Sequence, residues 1–266
     1  MIEKEELEYY INNKMSYKEI SEELNVNIKT VIKYSKKYNL KSLIGSQGAR
    51  KHKFNEDYFK VIDTEEKAYW LGFIAADGCV YKDKKNNNFR LQINLKGSDK
   101  GHLEKFQKCI NSDYKISEKN IGISPVCQLK INSTKLCKDL IDKNIIERKS
   151  IVFNPPTLRQ DLISHFIRGY WDGDGWIKQY KKKGQKNYIQ QWGIIGGENA
   201  LTYFQSNLPV DISIYYRKDR QDLMTLETGA KEKIIKLYEY LYQNATVYLD
   251  RKKDLYEKIL SRLIEI

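Results

Sequence analysis

The chain has 266 residues, enough for one sizeable domain plus a small appended module at typical domain sizes of roughly 100 to 200 residues. Lys and Arg number 47 against 35 Asp and Glu, a net charge of +12. That excess points to a polyanionic partner, because cations that neutralise phosphates release counterions. Cys79, Cys109, Cys127 and Cys137 make no C-x-x-C pair, and His52, His102 and His165 are not spaced with them as zinc ligands, which argues against a zinc finger or a disulfide scaffold. No apolar run reaches membrane-span length, and Met1-Ile2-Glu3-Lys4-Glu5-Glu6 is too charged for a signal peptide, so an intracellular setting (cytoplasm, nucleoid or organelle matrix) is expected.

Residues 1–40 are assigned to a first module. From Met15 to Leu40, the apolar positions Ile20, Leu24, Val26, Val31, Ile32 and Tyr34 suit two short helices, with Asn25 between them where a left-handed backbone is wanted. Ser16 with Glu19 forms a capping box for the first helix and Asn27 caps the second. This is the pattern of a helix-turn-helix, and of the plain helical hairpin. Its second helix presents Lys29, Thr30, Lys33, Lys36 and Lys37 outward, so Lys29 and Lys33 are candidate DNA contacts. Residues 41–60, with Ser42-Leu43-Ile44-Gly45-Ser46-Gln47-Gly48 and no clear periodicity, are read as a tether.

The remainder repeats itself, with halves at 61–157 and 158–266. Ala68–Val80 is matched by His165–Ile177, each an apolar helical run ending in Asp-Gly, and Asp174 lies 97 residues after Asp77. Leu103, Phe106, Asp113 and Leu129 pair with Leu201, Phe204, Asp211 and Leu226 at nearly the same offset. Each copy reads as αββαββα, an α+β class with the two copies related by a pseudo-twofold axis. Thr64 is expected to cap the first helix, and Gly78 and Gly175 to end the two helices, Gly78 in the left-handed position.

The clearest strand is Phe89–Lys96, where Leu91, Ile93 and Leu95 alternate with Arg90, Gln92, Asn94 and Lys96. An ordinary solvated sheet face would alternate too, but arginine and amides are the usual readers of base edges. In the second copy Lys178, Tyr188, Gln190, Trp192, Arg217 and Arg220 are the corresponding candidates. The two faces differ, so a site lacking full palindromic symmetry is expected.

Asp77 and Asp174 are the candidate catalytic acids. Phosphodiester hydrolysis uses a divalent metal, and carboxylates suit Mg²⁺. Gly72, Ala75 and Ala76 in one helix and Gly169 and Gly173 in the other would let the helices, and hence the acids, approach. Asp172 lies about 200° around the helix from Asp174 and its counterpart is Ala75, so Asp172 is left a supporting role. An EF-hand is disfavoured because the twelfth position from Asp172 is Lys183.

The stretches Trp70-Leu71-Gly72-Phe73-Ile74-Ala75-Ala76-Asp77-Gly78 and Ile167-Arg168-Gly169-Tyr170-Trp171-Asp172-Gly173-Asp174-Gly175 resemble the paired signature helices of LAGLIDADG homing endonucleases, over about residues 55 to 260. The resemblance implies a saddle-shaped antiparallel sheet over duplex DNA, a monomer with two motifs, and Asp77 and Asp174 each binding Mg²⁺ to cut one strand. It also implies a basic residue near each scissile phosphate. Arg148-Lys149 and Arg251-Lys252 are the repeated pairs, making Lys149 and Lys252 catalytic candidates, although such pairs are also common on solvated basic faces. A site-specific, intron-encoded double-strand endonuclease is expected. The rivals are an intron RNA maturase, with RNA as a further partner, and a catalytically silent regulator; retention of both acids argues against each. The ends lack residues needed for protein splicing, so a free-standing enzyme is expected rather than an intein.

Overall fold

The computed structural model describes residues 2–13, 15–40, 52–83, 88–121, 124–147, 149, 151–184, 188–217 and 222–264. It divides into two compact units, Met1–Lys53 and Phe54–Ile266.

The first unit contains α1 (Lys4–Asn12), α2 (Tyr17–Glu23) and α3 (Ile28–Lys37). Ser16 accepts from Glu19 N while the Glu19 side chain accepts from Ser16 N, and Asn27 accepts from Lys29 N. Each cap satisfies backbone donors that a helix start leaves unpaired. Asn25 takes a φ of 50° at the turn between α2 and α3. Ile2, Leu7, Ile11, Ile20 and Val31 form a small core, so α1 completes the unit by covering the pair.

In the second unit each half runs helix, two strands, helix, two strands, helix. The first half is α4 (Glu65–Asp77), β1 (Gly78–Lys82), β2 (Phe89–Lys96), α5 (Lys100–Cys109), β3 (Ser117–Ile121), β4 (Ser124–Asn132) and α6 (Thr134–Ile141). The second is α7 (Gln160–Asp174), β5 (Gly175–Tyr180), β6 (Ile189–Gly196), α8 (Glu198–Asn207), β7 (Ile214–Tyr216), β8 (Met224–Thr228) and α9 (Lys231–Tyr242), followed by α10 (Asp250–Ile264). Both sheets are antiparallel with the same order, β1-β2-β4-β3 and β5-β6-β8-β7. Leu103 and Phe106 on α5 and Leu201 and Phe204 on α8 occupy equivalent helices and are all buried, as the repeat requires.

The helices α4 and α7 pack against each other at the centre of this unit. Every residue from Ala68 to Ala75 and from Phe166 to Asp172 is buried, the mark of helices enclosed on all sides rather than on one face. Aromatic side chains fill the space around them: Trp70, Phe73, His102 and Phe106 in the first half, and Trp171, Trp192, Tyr242 and Tyr256 in the second.

The structure departs from the sequence expectations at three points. The tether assigned to 41–60 ends earlier, because Phe54 packs on Tyr114 and buried Tyr58 and Phe59 pack on Phe106 in the core of the second unit; residues 41–51 lie outside the described residues. Gly78 is extended rather than left-handed, with φ −85° and ψ 157°, and Gly175 matches it at φ −94° and ψ 168°. Each helix runs straight into a strand, and glycine is needed for room. A Cβ on Gly78 would lie 2.6 Å from Ile74 Cγ2, and one on Gly175 would lie 2.3 Å from the Trp171 ring. Trp192, expected on the outer face of the second sheet, is fully buried and stacks on Trp171 at 6.0 Å with the rings 8° apart.

Candidate active centre and nucleic-acid interface

Why α4 and α7 bring their ends together is visible at the glycines. A Cβ on Gly72 would stand 2.0 Å from Phe166 O, and one on Gly169 would stand 1.9 Å from Tyr69 O. The two contacts are reciprocal under the 97-residue offset, as a pseudo-twofold interface demands. Glycine inside a helix costs up to about 1 kcal/mol against alanine, and backbone contact offsets that cost. One turn further on, a Cβ on Gly173 would meet Ala76 Cβ at 2.3 Å and Asp77 Oδ2 at 3.4 Å, so the C-terminal turns abut beside the acids.

Asp77 is the last residue of α4 and Asp174 the last of α7. Asp77 is open to solvent and Asp174 half-buried, yet both carboxyls are surrounded by protein mass on their remaining sides. Burial, followed by the like charge of Asp174, raises the Asp77 carboxyl to about 6. Burial raises Asp174 as well, against the opposing charges of Lys149 and Lys252. Two carboxylates at the negative ends of two helices are mutually unfavourable and therefore draw cations.

Lys149 and Lys252 are such cations, and both are buried. Lys149 Nζ donates to Gly78 O and, at 3.5 Å, to Ala76 O. Lys252 Nζ donates to Trp171 O at 2.8 Å, Gly173 O at 3.2 Å and Gly175 O at 2.5 Å. Ala76 and Gly78 correspond to Gly173 and Gly175 under the repeat, so each lysine closes the carbonyl end of its own half's central helix. An ammonium has three donors, and those of Lys252 are all committed to carbonyls. Its charge nevertheless bears on both acids, lowering the carboxyls that burial raises. Burial lowers both amines, Lys252 to about 8. Arg148 lies outside the described residues, while Arg251 donates from Nε to Asp99 at 2.8 Å.

Asp172 points elsewhere. It is fully buried and accepts from Tyr69 Oη at 2.7 Å, Tyr242 Oη at 2.6 Å and Leu249 N at 2.8 Å. It thus reaches the partner helix through Tyr69 rather than through the paired acids. Burial raises its carboxyl despite these bonds and the nearby Lys252. His102 Nε2 contacts the same Tyr69 hydroxyl at 3.0 Å, and burial pushes that imidazole down to about 3.

Two carboxylates on abutting helix ends offer hard oxygen donors. Among the described residues no group of three or more His, Cys, Asp or Glu side chains could hold a metal. Mg²⁺ commonly keeps several waters and takes only one or two protein carboxylates, so Asp77 and Asp174 fit it.

The outer face of the first sheet follows from the register. Tyr81, Arg90 and Asn132 lie side by side, as do Cys79, Gln92 and Lys130, and then Asn94 and Gln128, with Lys96 beyond. Arg90 Nε donates to Asn132 Oδ1 at 2.8 Å, and Gln128 Nε2 donates to Asn94 Oδ1 at 2.6 Å, so the polar side chains steady one another. Beside the expected Arg90, Gln92, Asn94 and Lys96, this face carries Gln128, Lys130 and Asn132, whose alternation with Cys127, Leu129 and Ile131 is the signal for them in the sequence.

On the second sheet the pairings Lys178 with Gln191, and Trp176 and Glu227 with Gly193, put those residues on the face opposite Trp192 and Ile194. Lys178 is exposed there, as the sequence suggested. Gln190 falls on the Trp192 side, where its amide donates to Gly229 O at 2.9 Å, and Gln191, paired with Glu227, is the outward glutamine. The structure thus reverses the parity expected for Gln190, because Gln190-Gln191-Trp192-Gly193 offers no clean alternation and Trp176 covers the side-chain-free Gly193. Tyr188 is exposed just before β6, with Lys181 above its ring at 5.4 Å. Arg217 lines a concavity of about 590 Å³ together with Trp176, Lys178, Tyr215, Thr225 and Glu227. Arg220 lies outside the described residues. In the first unit, Lys29, Lys33, Lys36 and Lys37 are all exposed along α3.

Residues 64–140 match the family model of the LAGLIDADG-like domain. A search of curated proteins found no sequence match. Among solved structures, the chain is similar to the LAGLIDADG homing endonuclease I-GzeII in complex with its DNA target, at 16% identity and a TM-score of 0.54 over 74% of this chain and 91% of that one. It is also similar to the LAGLIDADG homing endonuclease I-LtrWI bound to target DNA, at 11% identity and a TM-score of 0.56 over 79% and 92%. I-SmaMI bound to uncleaved DNA in the presence of calcium ions matches at 14% identity and a TM-score of 0.51 over 77% and 92%. The protein thus carries a LAGLIDADG-like domain at 64–140 and, over most of its length, the fold of the LAGLIDADG homing endonucleases.

Proposed function

We propose that this protein is a site-specific endonuclease that makes a Mg²⁺-dependent double-strand break in DNA, acting as a monomer in which Asp77 and Asp174 are the two catalytic acids. The observation that carries this reading is the meeting of two acid-ended helices across reciprocal glycines, each end held by its own buried lysine. Similarity to nucleases solved with DNA supports the choice of substrate.

Asp77 and Asp174 hold the metal through hard carboxylate oxygens. A bound magnesium supplies water activation and neutralises charge on the leaving oxygen. Lys149 and Lys252 hold the C-terminal turns of α4 and α7 in place and add positive charge near the carboxylates, which favours bringing a phosphate to the centre. The outward Arg90, Gln92, Asn94 and Gln128 have the donors and acceptors to read base edges in a major groove, and Lys96 and Lys130 suit phosphates. The second sheet presents a different set, Gln191 and Glu227 beside Trp176 and Lys178, so the DNA site is asymmetric. The amino-terminal unit adds a helix-turn-helix contact through Lys29 and Lys33 on α3.

Selection of cleaved duplexes from a randomised library tests the reading. With Mg²⁺ present, one long sequence without full dyad symmetry is expected to be enriched, and EDTA is expected to abolish cutting. Recovery of no cleaved sequence from a library the protein binds would reject the nuclease assignment.

A further inference from the structure

The segment joining α9 to α10 is held at four successive residues by side chains from the rest of the unit. Thr246 N donates to Glu65 Oε1 at 2.8 Å, and Val247 O accepts from Arg168 Nε at 3.0 Å. Tyr248 O accepts from Lys105 Nζ at 3.2 Å, and Leu249 N donates to Asp172 Oδ2 at 2.8 Å. Lys105 also pairs with Asp250 at 2.6 Å. Four charged side chains have each been given to one backbone group of a single short strap. Two of them, Arg168 and Asp172, are fully buried on α7, and Arg168 is further fixed by Glu65 at 2.7 Å.

The strap ends where the first turn of α10 begins, and that turn carries Lys252. Lys252 N and Lys253 N both return to Leu249 O, at 3.0 and 3.2 Å, so Leu249 sets the start of the helix. Asp172 therefore grips the residue from which Lys252 is hung, while Lys252 Nζ reaches back to the carbonyls on either side of Asp172, at Trp171 and Gly173. Among the described residues the first half shows no such grip: Ala75 stands at the place of Asp172 and has no polar side chain.

We infer that Asp172 is a positioning residue for one of the two reaction centres, fixing Lys252 through Leu249, so that the two DNA strands are cut under unequal structural control. The inference rests on the nuclease reading above.

The test uses the full chain and a duplex bearing the sequence that wild-type enzyme selects from a randomised library, with a different dye on each strand. Lys252→Met and Lys149→Met first identify which strand each lysine serves. Asp172→Ala, which gives the second half the residue of the first, is expected to slow the Lys252 strand by about 10-fold or more, the usual loss when a supporting contact behind an active site is removed. The other strand should keep its rate, so nicked duplex accumulates. Lys105→Met, at the partly exposed end of the strap, is expected to slow the same strand by a smaller factor and serves if Asp172→Ala does not fold. Equal slowing of both strands, slowing of the Lys149 strand, or no change in either variant overturns the inference. Amide exchange offers a readout independent of cleavage: amides 249–253 should exchange faster in Asp172→Ala while those of α6, which carries no partner of Asp172, stay as in wild type. Failure of the wild-type protein to cut any duplex breaks the nuclease reading; in that event unchanged exchange at 249–253 breaks the clamp as well.

Discussion

Ala75 and Asp172 occupy the same turn of two helices that otherwise share a glycine, a terminal acid and a lysine folded back on the helix end. Ala75 is buried as a member of the hydrophobic core; Asp172 is a buried polar hub for Tyr69, Tyr242 and Leu249. The outer sheet faces diverge likewise, the first rich in amides, arginine and lysine, the second built around Trp176, Gln191 and Glu227. The two halves share what places the acids and differ in what surrounds them.

The largest effect comes from breaking that equality at the acids. Asp77→Asn and Asp174→Asn are each expected to reduce Mg²⁺-dependent double-strand cleavage by more than about a hundredfold, since a lost metal ligand forfeits several kcal/mol of charge stabilisation. DNA affinity, measured by fluorescence anisotropy, should change little because the sheet contacts remain. Full activity in either variant would remove that acid from the mechanism.

Next are the glycines. Gly72→Ala and Gly169→Ala should each cost about 2 to 3 kcal/mol in denaturant unfolding, because the new methyl group meets a backbone carbonyl that moves only if the helices separate. Nearly equal losses are required by the reciprocal contact. Gly101→Ala, whose added Cβ meets nothing within 4 Å, should instead gain up to about 1 kcal/mol. If Gly72→Ala were as harmless as Gly101→Ala, the close helix packing would be wrong.

These central helices were the most legible part of the sequence, because uninterrupted apolar runs with spaced glycines and a terminal acid encode burial, approach and chemistry within a dozen residues. The caps at Ser16 and Asn27 were legible for a similar reason, since both partners lie within three residues. Strand parity in β6 was not, because tryptophans occupy both faces of that sheet. Nor was the role of Gly78, where the demand for space comes from Ile74 rather than from φ. The early end of the tether depended on Tyr58 and Phe59 finding Phe106, and the strap depends on Glu65 meeting Thr246, partners that no local pattern connects.

A smaller effect separates the two units. Deleting residues 1–53 is expected to leave cleavage chemistry intact while making the plot of log affinity against log salt shallower by about 2 to 4, as loss of a few lysine–phosphate contacts would do at roughly 0.9 per contact. The four exposed lysines of α3 set the upper end of that range. An unchanged slope would mean that the amino-terminal unit does not touch DNA.

The smallest effect is a difference in pH dependence, and its sign tests whether the acids are as crowded as the geometry indicates. In metal-free protein the Asp77 carboxyl is raised from 3.8 to about 6. A raised acid favours the fold only while protonated, so its contribution is fully present below about pH 4, is lost as the pH rises through about 6, and stays lost above that. Asparagine cannot titrate. Denaturant unfolding of wild type compared with Asp77→Asn should therefore show a stability difference that moves against wild type between about pH 4 and 6 and then levels. Adding Mg²⁺ at pH 7.5 should restore stability to wild type, because an ion bound only by the folded state shifts the equilibrium toward it, and should do less for the variant. A difference that runs flat across this window, or that grows in favour of wild type, would mean that Asp174 and the surrounding protein do not press on Asp77, and the case for a shared metal centre would lose its electrostatic support.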